Sequence, residues 1–265
     1  MKNENAPSMT DAAALLATAR QRHEPVGDLS TVRTFDDAYA VQSAFRACWP
    51  QEVVGYKVGC SSEQSQRLVN APGPIAGCLF ADSVWRQPAT LDPRHFFVTG
   101  VEAEFGFRMA ADLPPRPTPY SPEETAAAVA AVVPLIEICD TRLSDWRTRR
   151  IEEITADNAF NGGVVIGSDF TAWRELDLGA HQVTLAIDGV PKGAGTGALV
   201  LGHPLLALTW LVNELSHQGV GLRAGELVAA GTCTGLHFAP SESKVVADFG
   251  PRLGQITIHF RSRVS

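Results

Sequence analysis

Cysteine is scarce in this chain and follows no pattern. Five occur among 265 residues, at 48, 60, 78, 139 and 233, and no Cys-x-x-Cys is present. That argues against a disulfide framework and against a zinc site, and leaves most of them as small buried hydrophobes. Basic charge is also short: 22 Lys and Arg stand against 29 Asp and Glu, for a net charge of −7. With no basic cluster, nucleic acid and anionic membranes are disfavoured as partners. The start, MKNENAPSMTDAAALLATARQRHEP, lacks the basic, apolar and cleavage regions of a secretory signal. No run approaches the ~20 apolar residues of a membrane span, so the expected compartment is the cytoplasm. Repeats, low-complexity linkers, Rossmann and P-loop fingerprints and a Gly-x-Ser-x-Gly elbow are all missing.

What is present is ordinary globular material, 45% hydrophobic and 19% charged with a mean hydropathy of zero. It suffices for one large domain, or a main domain with a small one. The first part reads as helical. Thr10 or Asp11 caps an Ala/Leu-rich helix ending near Arg22, and a second helix spans Asp36–Arg46 before Pro50. Val53–Gly59 reads as a strand and Ser62–Leu68 as a short helix. From about residue 70, Gly and Pro punctuate short apolar runs, the mark of a strand-rich fold. Strands are expected through 75–80, 98–108, 132–139 and 227–231. Hairpins are expected across Asp188-Gly189 and between 244–249 and 255–260. Ser121-Pro122 opens one helix, and Pro204 opens an apolar one closed by Gly219. The pattern predicts an α+β chain: an N-terminal helical α/β part over 1–70 and a β-rich catalytic domain over 71–265.

Carboxylates interrupt the apolar strands. Glu102 and Glu104 lie one residue apart in Val-Glu-Ala-Glu-Phe-Gly-Phe, and Glu137 breaks the run Val132–Cys139. On a strand, residues 102 and 104 share one face. Charged strand residues usually face solvent, but buried carboxylates need a partner. A hard divalent cation is the simplest shared one. Oxygen-only ligation suits Mg²⁺, Mn²⁺ or Ca²⁺ and disfavours zinc.

Several segments, in order over ~50–260, resemble the fumarylacetoacetate hydrolase superfamily. They match its branch of 2-keto-4-pentenoate hydratases and 4-oxalocrotonate decarboxylases. The segments are Gly55-Tyr56-Lys57-Val58-Gly59, Leu79-Phe80-Ala81-Asp82, Val101–Phe105, Ile136–Arg142, Asp145-Trp146, Ala156–Ala159, Leu201–Leu205 and Ala247–Gly250. The resemblance implies a mixed β-sandwich or roll behind a smaller N-terminal part, and a homo-oligomer able to associate with a sister decarboxylase or hydratase. It implies one Mg²⁺ or Mn²⁺ per subunit, held by Glu102, Glu104 and Glu137. Three carboxylates leave open positions on an octahedral ion for the carboxylate and carbonyl of a 2-oxo acid.

The implied activity is hydration of a short 2-hydroxy-2,4-dienoate to a 4-hydroxy-2-oxo acid, as in aromatic catabolism. Decarboxylation of a 2-oxo-3-enedioate is the alternative, and carbon–carbon hydrolysis of an acylpyruvate ranks third. Lys57, flanked by glycines that leave its strand face bare, and Asp82 take catalytic positions as a paired cation and acid. As a strand-end residue, Asp82 serves equally well as a turn. The resemblance places Asp157 and Asn158 beside the metal, although Asp and Asn also favour turns and caps. The segment continues Phe160-Asn161-Gly162-Gly163, where family hydratases more often show small hydroxyl residues. Thr234 matches a substrate-binding threonine, whereas Gly235 replaces an arginine. Arg142 is the candidate substitute for that arginine, or a salt-bridge partner. His203 reads as a capping or packing residue.

Overall fold

The protein is described from a computed structural model covering residues 8–27 and 29–262. The N-terminal part holds α1 (Met9–Arg22), α2 (Phe35–Cys48), β1 (Val53–Gly59) and α3 (Glu63–Leu68). Then follow β2 (Ile75–Phe80), β3 (Val84–Arg86), β4 (Ala89–Leu91), β5 (Gly100–Met109), α4 (Pro122–Ala127), β6 (Val129–Cys139), α5 (Ile151–Ala156) and β7 (Asn161–Ile166). The remainder is β8 (Gln182–Ile187), β9 (Val190–Thr196), α6 (Pro204–His217), β10 (Leu227–Thr232), β11 (His237–Phe238), β12 (Lys244–Asp248), α7 (Gly250–Leu253) and β13 (Gln255–Phe260).

Local chemistry sets the ends. The cap of α1 is Ser8 rather than Thr10 or Asp11. Its hydroxyl accepts from the Asp11 amide while the Asp11 carboxylate accepts from the Ser8 amide, a reciprocal box that outcompetes a cap starting inside the first turn. Thr34 and Asp37 do the same for α2. Asp188 and Gly189 both take positive φ, 52° and 76°, as the tight turn between β8 and β9 requires. The loop expected between the last two strands contains the short turn α7.

Two sheets form. The smaller runs β4-β13-β12-β8-β9; the larger runs β2-β1-β10-β5-β6-β7-β3, with β11 added on β5. In the larger sheet, β1/β10 and β3/β7 are parallel and the other pairs antiparallel. Strand β1, from the N-terminal part of the sequence, hydrogen-bonds between β2 and β10. The edge strands β2 and β3 are joined by only Ala81–Ser83, which can span roughly 14 Å. The sheet must therefore curl until its edges meet, and β2 and β7 are in contact. It is a roll.

One face of β5 and β6 looks out of the roll to the small sheet, where Phe105 meets the Phe249 ring edge-on at 5.6 Å. The other face looks inward, and Leu79, Val133, Leu135, Val164, Ile166, Leu227 and Ala229 fill that interior. Alternation along both strands does the sorting. The helical stretch Gly197–His217 is apolar and long enough to cross a bilayer by length and composition, although no uninterrupted apolar run in the sequence is that long. In the fold, Ala207, Leu208, Leu211, Val212 and Leu215 of α6 are buried, and the helix packs on α4, β1 and β10.

Candidate active site

At one end of the roll the inward positions become ionic. Glu102 and Glu104 project from β5, and Glu137 lies directly opposite Glu102 on β6. Lys57 projects from β1, with its Nζ 3.1 Å from Glu137 Oε1 and donating to the Ala159 carbonyl at 2.8 Å. Asn161, at the start of β7, donates its Nδ2 to the same Glu137 Oε1 at 2.7 Å. Glu104 Oε2 accepts from the Gly231 amide at 3.0 Å. Glu104 and Glu137 have no solvent exposure, yet Glu104 Oε1 and Glu137 Oε2 lack any partner among the described residues.

Burial and mutual repulsion disturb these acids. Burial, then the charge of Glu137, pushes Glu102 up to about 7. Burial, Glu137 and Glu102 together hold Glu104 well above the carboxylate range. Burial works against the Lys57 ammonium, but Glu137 and its neighbours outweigh it and raise its pKa. Donor atoms of Glu102, Glu137 and Cys139 lie within 4.8 Å of one another. That donor group contains Cys139 and does not include Glu104. Burial, then Glu102 and Glu137, drives the Cys139 thiol well above its ordinary pKa. Three carboxylates against one ammonium, with two orphaned buried oxygens, leave a deficit of positive charge. A hard divalent cation held by Glu102, Glu104 and Glu137 fits that deficit and the oxygen donors.

The ionic cluster opens into a cavity of about 470 Å³, within the range of small-molecule sites. Lys57, Glu102 and Cys139 line its floor, Thr232 and Ser61 add hydroxyls, and Trp146, Phe160, Leu236 and Phe238 supply apolar wall. Arg147 also lines it, with its guanidinium 4.4 Å from the Trp146 ring centre.

Four other residues singled out from the sequence fall elsewhere. Asp82 is not brought to Lys57. The register pairs Lys57 with Gly77, five residues and roughly 15 Å of strand from Asp82. Asp82 sits in the turn that closes the roll, 3.5 Å from Arg20 Nη2, on a separate cleft with Asp140 and Arg142. Asn158 spends its amide on the backbone of Cys78, accepting from its N–H at 2.7 Å and donating to its carbonyl at 2.9 Å. Arg142 is buried and bonded through Nε to Asp157 Oδ1 at 2.6 Å, through Nη2 to the Asp157 carbonyl at 2.7 Å and through Nη1 to the Asn161 carbonyl at 2.9 Å. Thr234 Oγ1 accepts from the Ala103 amide at 3.1 Å, which braces the strand between Glu102 and Glu104.

Of the glycines beside Lys57, Gly59 lines the cavity, where a Cβ would lie 3.2 Å from Lys57 Nζ, but Gly55 does not bare a ligand face. A Cβ on Gly55 would lie 1.9 Å from the Leu227 carbonyl oxygen, so Gly55 lets β10 approach. His203 accepts from the Leu205 amide through Nδ1 at 3.1 Å as the cap of α6. Gly235 lines the cavity with φ +78°. Sequence reasoning missed Asn161 as a partner of Glu137, and Ala159 and Gly231, which act through backbone atoms and carry no side-chain signal.

Comparison with known proteins agrees with this architecture. The chain is 36% identical over 227 residues to a 2-keto-4-pentenoate hydratase of Paraburkholderia xenovorans (strain LB400), covering 83% of each chain. It is 32% identical over 213 residues to a 2-hydroxyhexa-2,4-dienoate hydratase of Comamonas testosteroni, covering 78% of this chain and 80% of that one. The fold superposes on 4-oxalocrotonate decarboxylase from Pseudomonas putida G7, complexed with magnesium and adipate. The TM-score is 0.87 over 95% of this chain and 97% of that one, at 24% identity. Residues 63–259 match the fumarylacetoacetate (FAA) hydrolase C-terminal family model, so the chain is a member of that family.

Proposed function

We propose that this protein is a hydro-lyase dependent on Mg²⁺ or Mn²⁺, which adds water to a short 2-hydroxy-2,4-dienoate to give a 4-hydroxy-2-oxo acid. The observation that carries it is the cluster of Glu102, Glu104 and Glu137 against Lys57, of which Glu102 and Lys57 line the floor of a small-molecule cavity. The hydratases named above support the reaction class. A cation held by the three glutamates supplies Lewis-acid stabilisation to negative charge on a 2-oxo acid's oxygens.

The chain's own groups do the rest. Lys57 has three N–H donors. The Ala159 carbonyl accepts one of them and Glu137 pairs with the charge at 3.1 Å, which leaves N–H capacity for a substrate oxygen. Thr232 Oγ1 accepts from the Thr234 and Gly235 amides, which leaves its O–H to donate into the cavity, where it and Ser61 can hold the attacking water. The apolar wall excludes bulk water from the conjugated carbons. Cytoplasmic location and a homo-oligomer complete the proposal.

The test is turnover of 2-hydroxypenta-2,4-dienoate with Mg²⁺, which should yield 4-hydroxy-2-oxopentanoate. Glu102→Gln, Glu104→Gln and Glu137→Gln should each weaken Mn²⁺ binding and abolish that turnover. Lys57→Ala should lower the rate about 10²–10⁴-fold, the range of a positioned proton-transfer or charge-stabilising group. Asp82→Asn, on its separate cleft, should leave the rate within a few-fold. Brisk cleavage of an acylpyruvate without dienoate turnover would overturn the assignment. The likeness to 4-oxalocrotonate decarboxylase makes decarboxylation the second reading, and release of CO₂ in place of hydrated product would select it.

A further inference from the structure

We infer that Asn161 is a positioning residue that restricts Glu137 to one-oxygen ligation and so biases the site toward small six-coordinate cations over calcium; this rests on the metal-dependent reading above. A carboxylate oxygen offers about two lone-pair directions. Glu137 Oε1 faces two donors, Lys57 Nζ at 3.1 Å and Asn161 Nδ2 at 2.7 Å. Asn161 takes one direction by hydrogen bond, the Lys57 ammonium beside the same oxygen repels a cation from the other, and Oε2, buried and without a partner, remains for the ion. Glu104 repeats the arrangement, with Oε2 accepting from Gly231 and Oε1 without a partner. One-oxygen ligands suit the octahedral demands of Mg²⁺ and Mn²⁺. Calcium takes six to eight oxygens and often chelates a carboxylate through both.

Asn161 cannot swing aside. It is 1% exposed, and it opens β7 in register with Cys139. Its carbonyl is held by Arg142 Nη1, and Arg142 is clamped by Asp157. Arg142 and Asp157 thus reach the carboxylate cluster through Asn161. Lys57 alone would not fix the geometry, because an ammonium is a rotatable point charge, whereas a planar amide anchored through its own backbone holds the carboxylate plane.

The experiment uses metal-free full-length protein, the variants Asn161→Ser and Asn161→Ala, and direct titration with Mn²⁺ and Ca²⁺. The expected result is a shift of the Ca²⁺:Mn²⁺ affinity ratio toward calcium by about 10-fold or more, the scale at which partners of metal ligands act. Far-ultraviolet circular dichroism should be unchanged. A ratio within about twofold of wild type in folded variants is below that scale and would overturn the inference. Should neither variant fold, the wild type still decides. On Mn²⁺ loading, the infrared separation between antisymmetric and symmetric carboxylate stretches should widen as for one-oxygen ligation, and a narrow, chelate-like separation would overturn the inference. A wild type that binds neither ion would instead sink the metal-dependent reading itself.

Discussion

Asp140 illustrates what a single buried carboxyl costs and contributes. Its Oδ1 accepts from the Phe97 and Val98 amides at 2.9 and 2.8 Å, which steers the chain into β5. Burial, more than Arg142 and those amides can offset, pushes it up from 3.8 to about 6. The folded state therefore holds this proton more tightly than the unfolded chain does. The resulting stabilisation is full below 3.8 and lost as pH rises through about 6. Asp140→Asn keeps the acceptor and removes the charge. It should stabilise the protein at pH 8 by roughly 1–3 kcal/mol, with a smaller gain at pH 5. Urea unfolding at the two pH values measures this, and an equal change at both would contradict it. The same contrast explains which site residues were legible. Glu102, Glu104 and Glu137 stood out because a charge inside an apolar strand is conspicuous and period two gives its face. Asp82, Asn158, Thr234 and Arg142 are polar residues in turns, where one side chain can serve backbone or substrate and sequence does not say which.

At the scale of elements, strand and helix positions were largely readable, since β1, β13 and α6 end where alternation, Pro and Gly indicate. The loop that completes the site was not. Asn158, Ala159 and Phe160 take positive φ of 57°, 53° and 65° in succession, a conformation costly for non-glycine residues. Two devices hold it: the Asn158 amide on Cys78, and a bare Gly77 beneath it. A Cβ on Gly77 would lie 2.6 Å from the Asn158 carbonyl oxygen and 3.2 Å from Ala159 Cβ. Gly77→Ala should push this loop off β2 and carry the Ala159 carbonyl away from Lys57. The expected cost is about 1–3 kcal/mol of stability, as in other overpacked sites. The accompanying loss in kcat should be about 10–100-fold, because small displacements of positioned groups are expensive. Denaturation and kinetics on one preparation test both, and a stability loss with unchanged kcat would detach the loop from catalysis.

The molecule as a whole concentrates uncompensated negative charge inside a closed roll. A ligand that binds only the folded state stabilises it by mass action, about 2.7 kcal/mol at a hundredfold excess over Kd. Thermal unfolding should therefore shift upward with Mg²⁺ or Mn²⁺ and fall back with a chelator, and the combined Glu102→Gln, Glu104→Gln, Glu137→Gln variant should show neither shift. An unshifted wild type would show that the acids are satisfied some other way. The fold class was readable from the sequence, but the closure was not. It depends on β2 and β3 being opposite edges of one sheet, a pairing that no local pattern encodes.

Sheet order also separates the site from chain order. Strand β10 lies between β1 and β5, and its Gly231 amide reaches Glu104 across 127 positions of sequence. On the ribosome, Glu102, Glu104, Glu137 and Lys57 have all emerged while the strand that seats them side by side is still unmade. Contacts this distant form late, and domains fold as units during synthesis. Glu102 and Glu137 can meet as soon as β5 and β6 pair, but Lys57 and the Gly231 amide join them only once β10 has been made.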